Sequence, residues 1–170
     1  MRFPRIGAPL SLLTFLATLY PAANAMDKGE WTLDLNGASW HSERNYTYQG
    51  ETSRYNQSNL GLGVTYAAHD NVDVKAGFFE NSYDKTTLYA GIVLHQDFKS
   101  ADNQWILSPG FALLLASGYD DTPENTPAIT PLGAFTLSAG HRVLRVTLGY
   151  APFGEVDVVT AQLQYQFNAW

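Results

Sequence analysis

The chain has 170 residues, with 10 Lys and Arg against 16 Asp and Glu, for a formal net charge of −6 at neutral pH. That balance provides no basic patch for nucleic acid. The absence of cysteine excludes a disulfide scaffold and any thiol chemistry.

Arg2 and Arg5 precede a mostly apolar run from Leu10 to Leu19, and Pro21-Ala-Ala-Asn-Ala25 follows. Positive charge, a short apolar segment and small residues in that order predict a signal peptide over residues 1–25, cleaved after Ala25. Residues 26–170 are then one exported domain. No later apolar run reaches the roughly 20 residues of a membrane helix, which leaves a β-barrel as the possible membrane structure.

Trp31 to Trp40 alternates at period two, the mark of a strand. Too few residues separate it from Ala25 for a sizeable N-terminal helix. His41 to Gln57 lacks apolar periodicity and is expected to be a long loop. The second strand carries Leu60, Leu62, Val64 and Tyr66 on one face. Val72 to Leu94 reads as a hairpin: Val72, Val74, Ala76 and Phe78, then a polar tip from Glu80 to Lys85, then Leu88, Ala90, Ile92 and Leu94. A turn at 98–103 leads to a fifth strand with Trp105, Leu107, Phe111, Leu113 and Leu115 outward, and a bulge is expected at Pro109-Gly110. Tyr119 to Pro127 is a loop. The last three strands carry Ile129 to Leu137, Leu144 to Tyr150 and Val159 to Phe167, with a turn at Ala139–Arg142 and a loop at 151–155.

These segments give an all-β, eight-stranded antiparallel transmembrane β-barrel, apolar outside. The apolar faces carry no Lys, Arg, Asp or Glu apart from Asp157 at the rim. One basic residue at the bilayer midplane would cost about 2–4 kcal/mol. Trp31, Tyr66, Phe78, Trp105, Tyr150 and Phe167 sit near the stripe ends, as an interfacial girdle does. A soluble lipocalin-like barrel would show the reverse pattern.

Ordered by height, the inward positions toward the periplasm are Asp34, Asn36, Asp73, Lys75, His95, Arg145, Gln162, Gln164 and Gln166. Those toward the outside are Ala38, Trp40, Phe79, Tyr89, Leu114, Leu132, Val156 and Val158. The expected lumen is therefore a charged plug beneath an apolar throat. Such a throat suits an acyl chain, or is ordinary side-chain filling of a small barrel. His41 and Ser82, with Asn81 beside it, end different strands at the outer rim and are the candidates for a base–hydroxyl pair.

Trp40-His41, Arg54-Tyr55-Asn56, the Gly61/Gly63 strand and Phe79-Glu-Asn-Ser-Tyr-Asp-Lys85 together resemble the PagP family of lipid A palmitoyltransferases. Pro131-Leu132 and Tyr150-Ala-Pro152 resemble that family's proline breaks, and the likeness runs from about Trp40 to Tyr150. The resemblance implies a barrel in the outer membrane, built by the barrel-assembly machinery and active as a monomer. It would move a palmitoyl chain from the sn-1 position of a phospholipid to lipid A, at the outer surface and without metal or cofactor. His41 would be the general base, and Ser82 either the oxyanion donor or the nucleophile. Trp40, Phe79, Tyr89, Gly91, Val93, Leu114 and Leu132 would line the acyl pocket, and Pro131 and Pro152 would mark a lateral gate. This sequence departs from the family by having Asn81 where the family has Asp, and Val93 where the family has a glycine at the pocket floor. The larger Val93 should shorten the preferred chain. A lipid A deacylase and a non-enzymatic surface or assembly barrel are the competing expectations.

Overall fold

A computed structural model describes residues 28–120, 122–123, 126–153 and 156–167. The expected signal peptide lies outside them. Eight long strands, β1 (Trp31–His41), β4 (Gly61–His69), β5 (Val72–Glu80), β6 (Thr86–His95), β8 (Trp105–Ala116), β9 (Thr130–His141), β10 (Leu144–Phe153) and β11 (Val156–Gln166), form one antiparallel sheet. Three short strands, β2 (Asn45–Tyr48), β3 (Glu51–Arg54) and β7 (Phe98–Lys99), complete the elements, and no helix occurs among the described residues. The sheet order β6-β5-β4-β1-β11-β10-β9-β8 closes through a β6–β8 pairing. Closure removes the sheet edges, as a barrel crossing lipid requires.

The packing is inside out. Leu88, Trp105, Phe135 and Leu115 are all about 60 % exposed on the outer wall. Thr32, Asp34, Thr65, Lys75, Arg145 and Gln166 are buried inside it. Water would not tolerate so continuous an apolar belt, and lipid would. Trp31 and Tyr66 rings meet at 4.8 Å, and Trp105 and His141 at 5.9 Å, at the end of the barrel where the described chain starts and stops.

Four expectations need correction. The stretch from His41 to Gln57 contains the β2–β3 hairpin, which turns at Gln49 and Gly50, both with positive φ. Its period-two signal is short: β3 is exposed throughout, and in β2 only Tyr46 and Tyr48 are half-buried. Against β11, the register of β1 slips between Asn36 and Ala38. The extra residue reverses the alternation, so Ser39 turns inward and Trp40 turns out, 50 % exposed. Trp40 therefore leaves the lumen. No bulge forms at Pro109: its register with β9 is continuous from Trp105 to Ala116. The Pro109 carbonyl accepts from Gln96 N at 3.0 Å, so its missing donor points to the side where the β6 ladder has just ended at Gly110. Finally, β9 extends to His141 and β10 to Phe153, where a turn and a loop were expected.

Candidate active site at the mouth of the lumen

Strand β4 is antiparallel to both β1 and β5, so β1 and β5 run the same way and end at the same rim. That places His41 and Ser82 together at one end, and both line the lumen cavity. The His41 ring stacks on Tyr55, with centroids 4.4 Å apart and planes at 3°. Tyr55 also packs against Tyr46 at 5.1 Å and Tyr83 at 5.6 Å. The next residue, Asn56, donates its backbone N–H to the Ser82 carbonyl at 2.9 Å. The chain after the β2–β3 hairpin thus braces His41 with one residue and the Ser82 backbone with the next. Sequence reasoning missed this aromatic cluster. The alternation in Asn45-Tyr-Thr-Tyr48, followed by Gln49-Gly50, was the available signal.

Asn81 is fully buried. Its oxygen accepts from the N–H groups of Tyr83 (2.9 Å) and Lys85 (3.1 Å), and its amide nitrogen donates to Thr87 Oγ1 (3.1 Å) and the Gly118 carbonyl (2.7 Å). All four partners belong to the hairpin tip, β6 and the loop after β8, and none is His41. Of the acids near the tip, Glu80 accepts from Asn56 Nδ2 at 2.7 Å.

The cavity below measures about 280 Å³. Phe79, Tyr89, Val93, Leu114, Leu132 and Val158 give it apolar walls. The Tyr89 ring lies over Gly63 and Gly77, where a Cβ would overlap its hydroxyl. Gly91 lies on a shallow wall groove with Leu114 and Leu132, and a Cβ there would overlap the β8 backbone. Glycine at 91 is therefore needed for strand approach. Val93 stands one inward position above His95 on β6, at the boundary with the polar floor.

The floor is knitted by charge and amide. Lys75 Nζ lies 3.2 Å from Asp34 and donates to Gln162 at 3.0 Å. Asp34 also accepts from Thr65 (2.7 Å) and Gln164 (3.0 Å). His95 bridges Asp73 (3.3 Å) and Asp97 (2.9 Å), and the Ser108 hydroxyl donates to Asp97. Each buried carboxylate has a cation or donors around it, as burial demands.

The wall is not uniformly bonded. β9 and β10 pair only from Gly140–Arg145 to Phe135–Tyr150. Beyond that, Thr130–Ala134 pair only with β8, and Ala151–Phe153 only with β11. Pro131 and Pro152 lie on the two sides of this interruption. A second one separates β1 from β4 beyond Asn36–Gly61, where Ser39 N bonds the Gln57 carbonyl at 3.0 Å.

No protein-family model matches the sequence, and no curated protein matches it. Solved structures do. A structure from the de novo design of transmembrane β-barrels matches with a TM-score of 0.54 and 12 % identity, over 84 % of this chain and 98 % of that one. Ail, the attachment invasion locus protein of Yersinia pestis, matches at 18 % identity and a TM-score of 0.36, over 83 % of this chain and 100 % of that one. The outer-membrane protein AlkL matches at 15 % identity and a TM-score of 0.36, over 87 % of this chain and 95 % of that one. The first of these likenesses shows the fold: this chain is similar to small transmembrane β-barrels of eight strands.

Proposed function

We propose that the chain is an outer-membrane acyltransferase that moves a palmitoyl or similar chain from a glycerophospholipid to lipid A. The observation that carries this reading is the meeting of His41 and Ser82 on one cavity whose upper wall is apolar. The acyl chain lies in that throat with its ester at the mouth. The acceptor hydroxyl attacks the ester carbonyl carbon. His41 takes the hydroxyl proton and returns it to the glycerol oxygen as the C–O bond breaks, releasing a lysophospholipid. In this direct transfer Ser82 donates to the oxyanion. In the alternative its own hydroxyl attacks the donor ester first, His41 passing the serine proton to the departing glycerol oxygen. The acceptor hydroxyl then attacks the acyl-serine carbonyl, His41 returning the acceptor's proton to Ser82.

Two features support lateral access from the membrane: the unpaired stretch between β9 and β10, and the prolines at 131 and 152 on its sides. A proline lacks the N–H that would zip such a seam shut.

The test is mass spectrometry of lipid A from a Gram-negative host expressing the chain. An added acyl chain, lost in both His41→Ala and Ser82→Ala, supports the proposal. Loss of an acyl chain with release of free fatty acid identifies a deacylase. An unchanged profile from a correctly assembled barrel identifies a non-enzymatic one.

A further inference from the structure

The side chain of Asn81 uses every hydrogen-bonding position an amide has: two N–H donors and two oxygen lone pairs, all directed at protein partners. Two of the partners close its own turn. The other two reach outside it, to Thr87 on β6 and to Gly118 in the loop after β8.

That loop is tied to the hairpin again by Ser117 N to the Leu88 carbonyl (2.9 Å), Leu88 N to Ser117 Oγ (3.1 Å) and Lys85 Nζ to the Asp120 carbonyl (2.9 Å). Gly118 itself has φ +81°, and a Cβ on it would overlap the Thr86 carbonyl. Its backbone has little room to retreat.

We propose that Asn81 is the positioning residue of Ser82: its amide latches the Ser82-bearing turn to the loop after β8, and a carboxylate cannot replace it. On the other side the Ser82 carbonyl is held by Asn56 N, so Ser82 is fixed between two loops. The functional half of this inference rests on the acyltransfer reading; the latch itself does not.

The chemistry is specific. An ionised aspartate at 81 keeps both acceptor bonds but faces the Gly118 carbonyl with oxygen instead of N–H. Two acceptors then meet at hydrogen-bond distance in a buried place, too close for a water to come between them. Glu80 and Asp84 on the tip and Asp120 on the facing loop add negative charge. Lys85, the cation on the tip, bonds the Asp120 carbonyl with its ammonium. The aspartate carboxyl is therefore pushed up in the folded state. Once protonated, its O–H donates to Gly118 and the latch closes again. Stability is full at low pH and is lost as pH rises through the raised value.

The experiment uses the full chain in phospholipid nanodiscs, comparing wild type, Asn81→Asp and Asn81→Ala for thermal unfolding and acyl transfer at about pH 4, near the unfolded aspartate value, and about pH 8. Asn81→Asp is expected to melt several degrees below wild type at the higher pH and to recover most of that gap at the lower one. Asn81→Ala should stay low at both. Turnover of Asn81→Asp, taken as a ratio to wild type at the same pH, should recover with the same pH dependence, while KM for the phospholipid stays unchanged. An Asn81→Asp chain that matches wild type at both pH values, or shows the same deficit at both, overturns the latch. Should wild type lack transferase activity, the acyltransfer reading fails, and the pH-dependent melting still decides the latch.

Discussion

His41 lies flat on Tyr55, ring centroid to ring centroid 4.4 Å, while the residue after Tyr55 binds the Ser82 backbone. One short piece of chain therefore touches both His41 and the Ser82 backbone. Stacking between aromatic rings is worth about 0.5–1.5 kcal/mol beyond the area it buries, which corresponds to roughly a two- to twelve-fold effect. Tyr55→Ala is expected to lower turnover by about that factor, and Tyr55→Phe to retain it, since the ring remains. Lipid A acylation kinetics in nanodiscs check this. A Tyr55→Ala variant with wild-type turnover removes Tyr55 from the site.

Val93 projects into the cavity at the level where apolar wall gives way to charged floor. Replacing it with glycine deepens the apolar throat toward His95. Each additional buried methylene gains about 0.8 kcal/mol, so preference for a longer chain should rise roughly fourfold per methylene accommodated. The mass of the transferred chain reads this directly. Val93→Gly with an unchanged chain-length profile means that Val93 does not set the depth.

The barrel was legible because its two faces obey opposite rules. Leu88, Leu144 and Leu163 each belong to a strand face that is apolar and, apart from Asp157 at the rim, uncharged at every second position, and Asp34, Lys75 and Arg145 belong to the opposite faces. Parity fails where one residue is added. Gly37 is inconspicuous in sequence, yet the slip beside it turns Trp40 out of the lumen and Ser39 into it. The β2–β3 hairpin was hidden for a different reason: each strand has only four residues, β3 is exposed throughout, and β2 half-buries only Tyr46 and Tyr48. His41 shares a face with Ser39, so the same slip turns it toward the lumen, while its height at the rim follows from its place at the end of β1. The brace on His41 was invisible, since it depends on rings brought together from three separate segments.

Asp34 is fully buried and held by Lys75, Thr65 and Gln164. Removing the ammonium while leaving the carboxylate should be costly, because a buried charge without its partner loses about 3–5 kcal/mol. Lys75→Met is expected to lose unfolding free energy in that range, read as a lower urea midpoint. Adding Asp34→Asn should restore part of the loss, since the remaining amide is neutral and Thr65 and Gln164 can still bond it. Urea titrations of the single and double variants in micelles give the coupling directly. Additive losses would mean that the pair is solvated and contributes little.

The interruption between β9 and β10 lends itself to a reversible test, because the chain has no cysteine of its own. Continuing the register past Phe135–Tyr150 brings Ala134 opposite Ala151. A disulfide between Ala134→Cys and Ala151→Cys would staple the two strands where backbone bonding stops, provided the seam can close to the roughly 4.4–6.8 Å between Cα atoms that the bond requires. If donor phospholipids pass through this seam, the oxidised variant loses acyl transfer and regains it on reduction. Each single cysteine variant should be active in both states. Transfer that continues in the oxidised double variant, with the disulfide verified by mass, directs attention to the other interruption, where β1 and β4 part beyond Asn36 and Gly61.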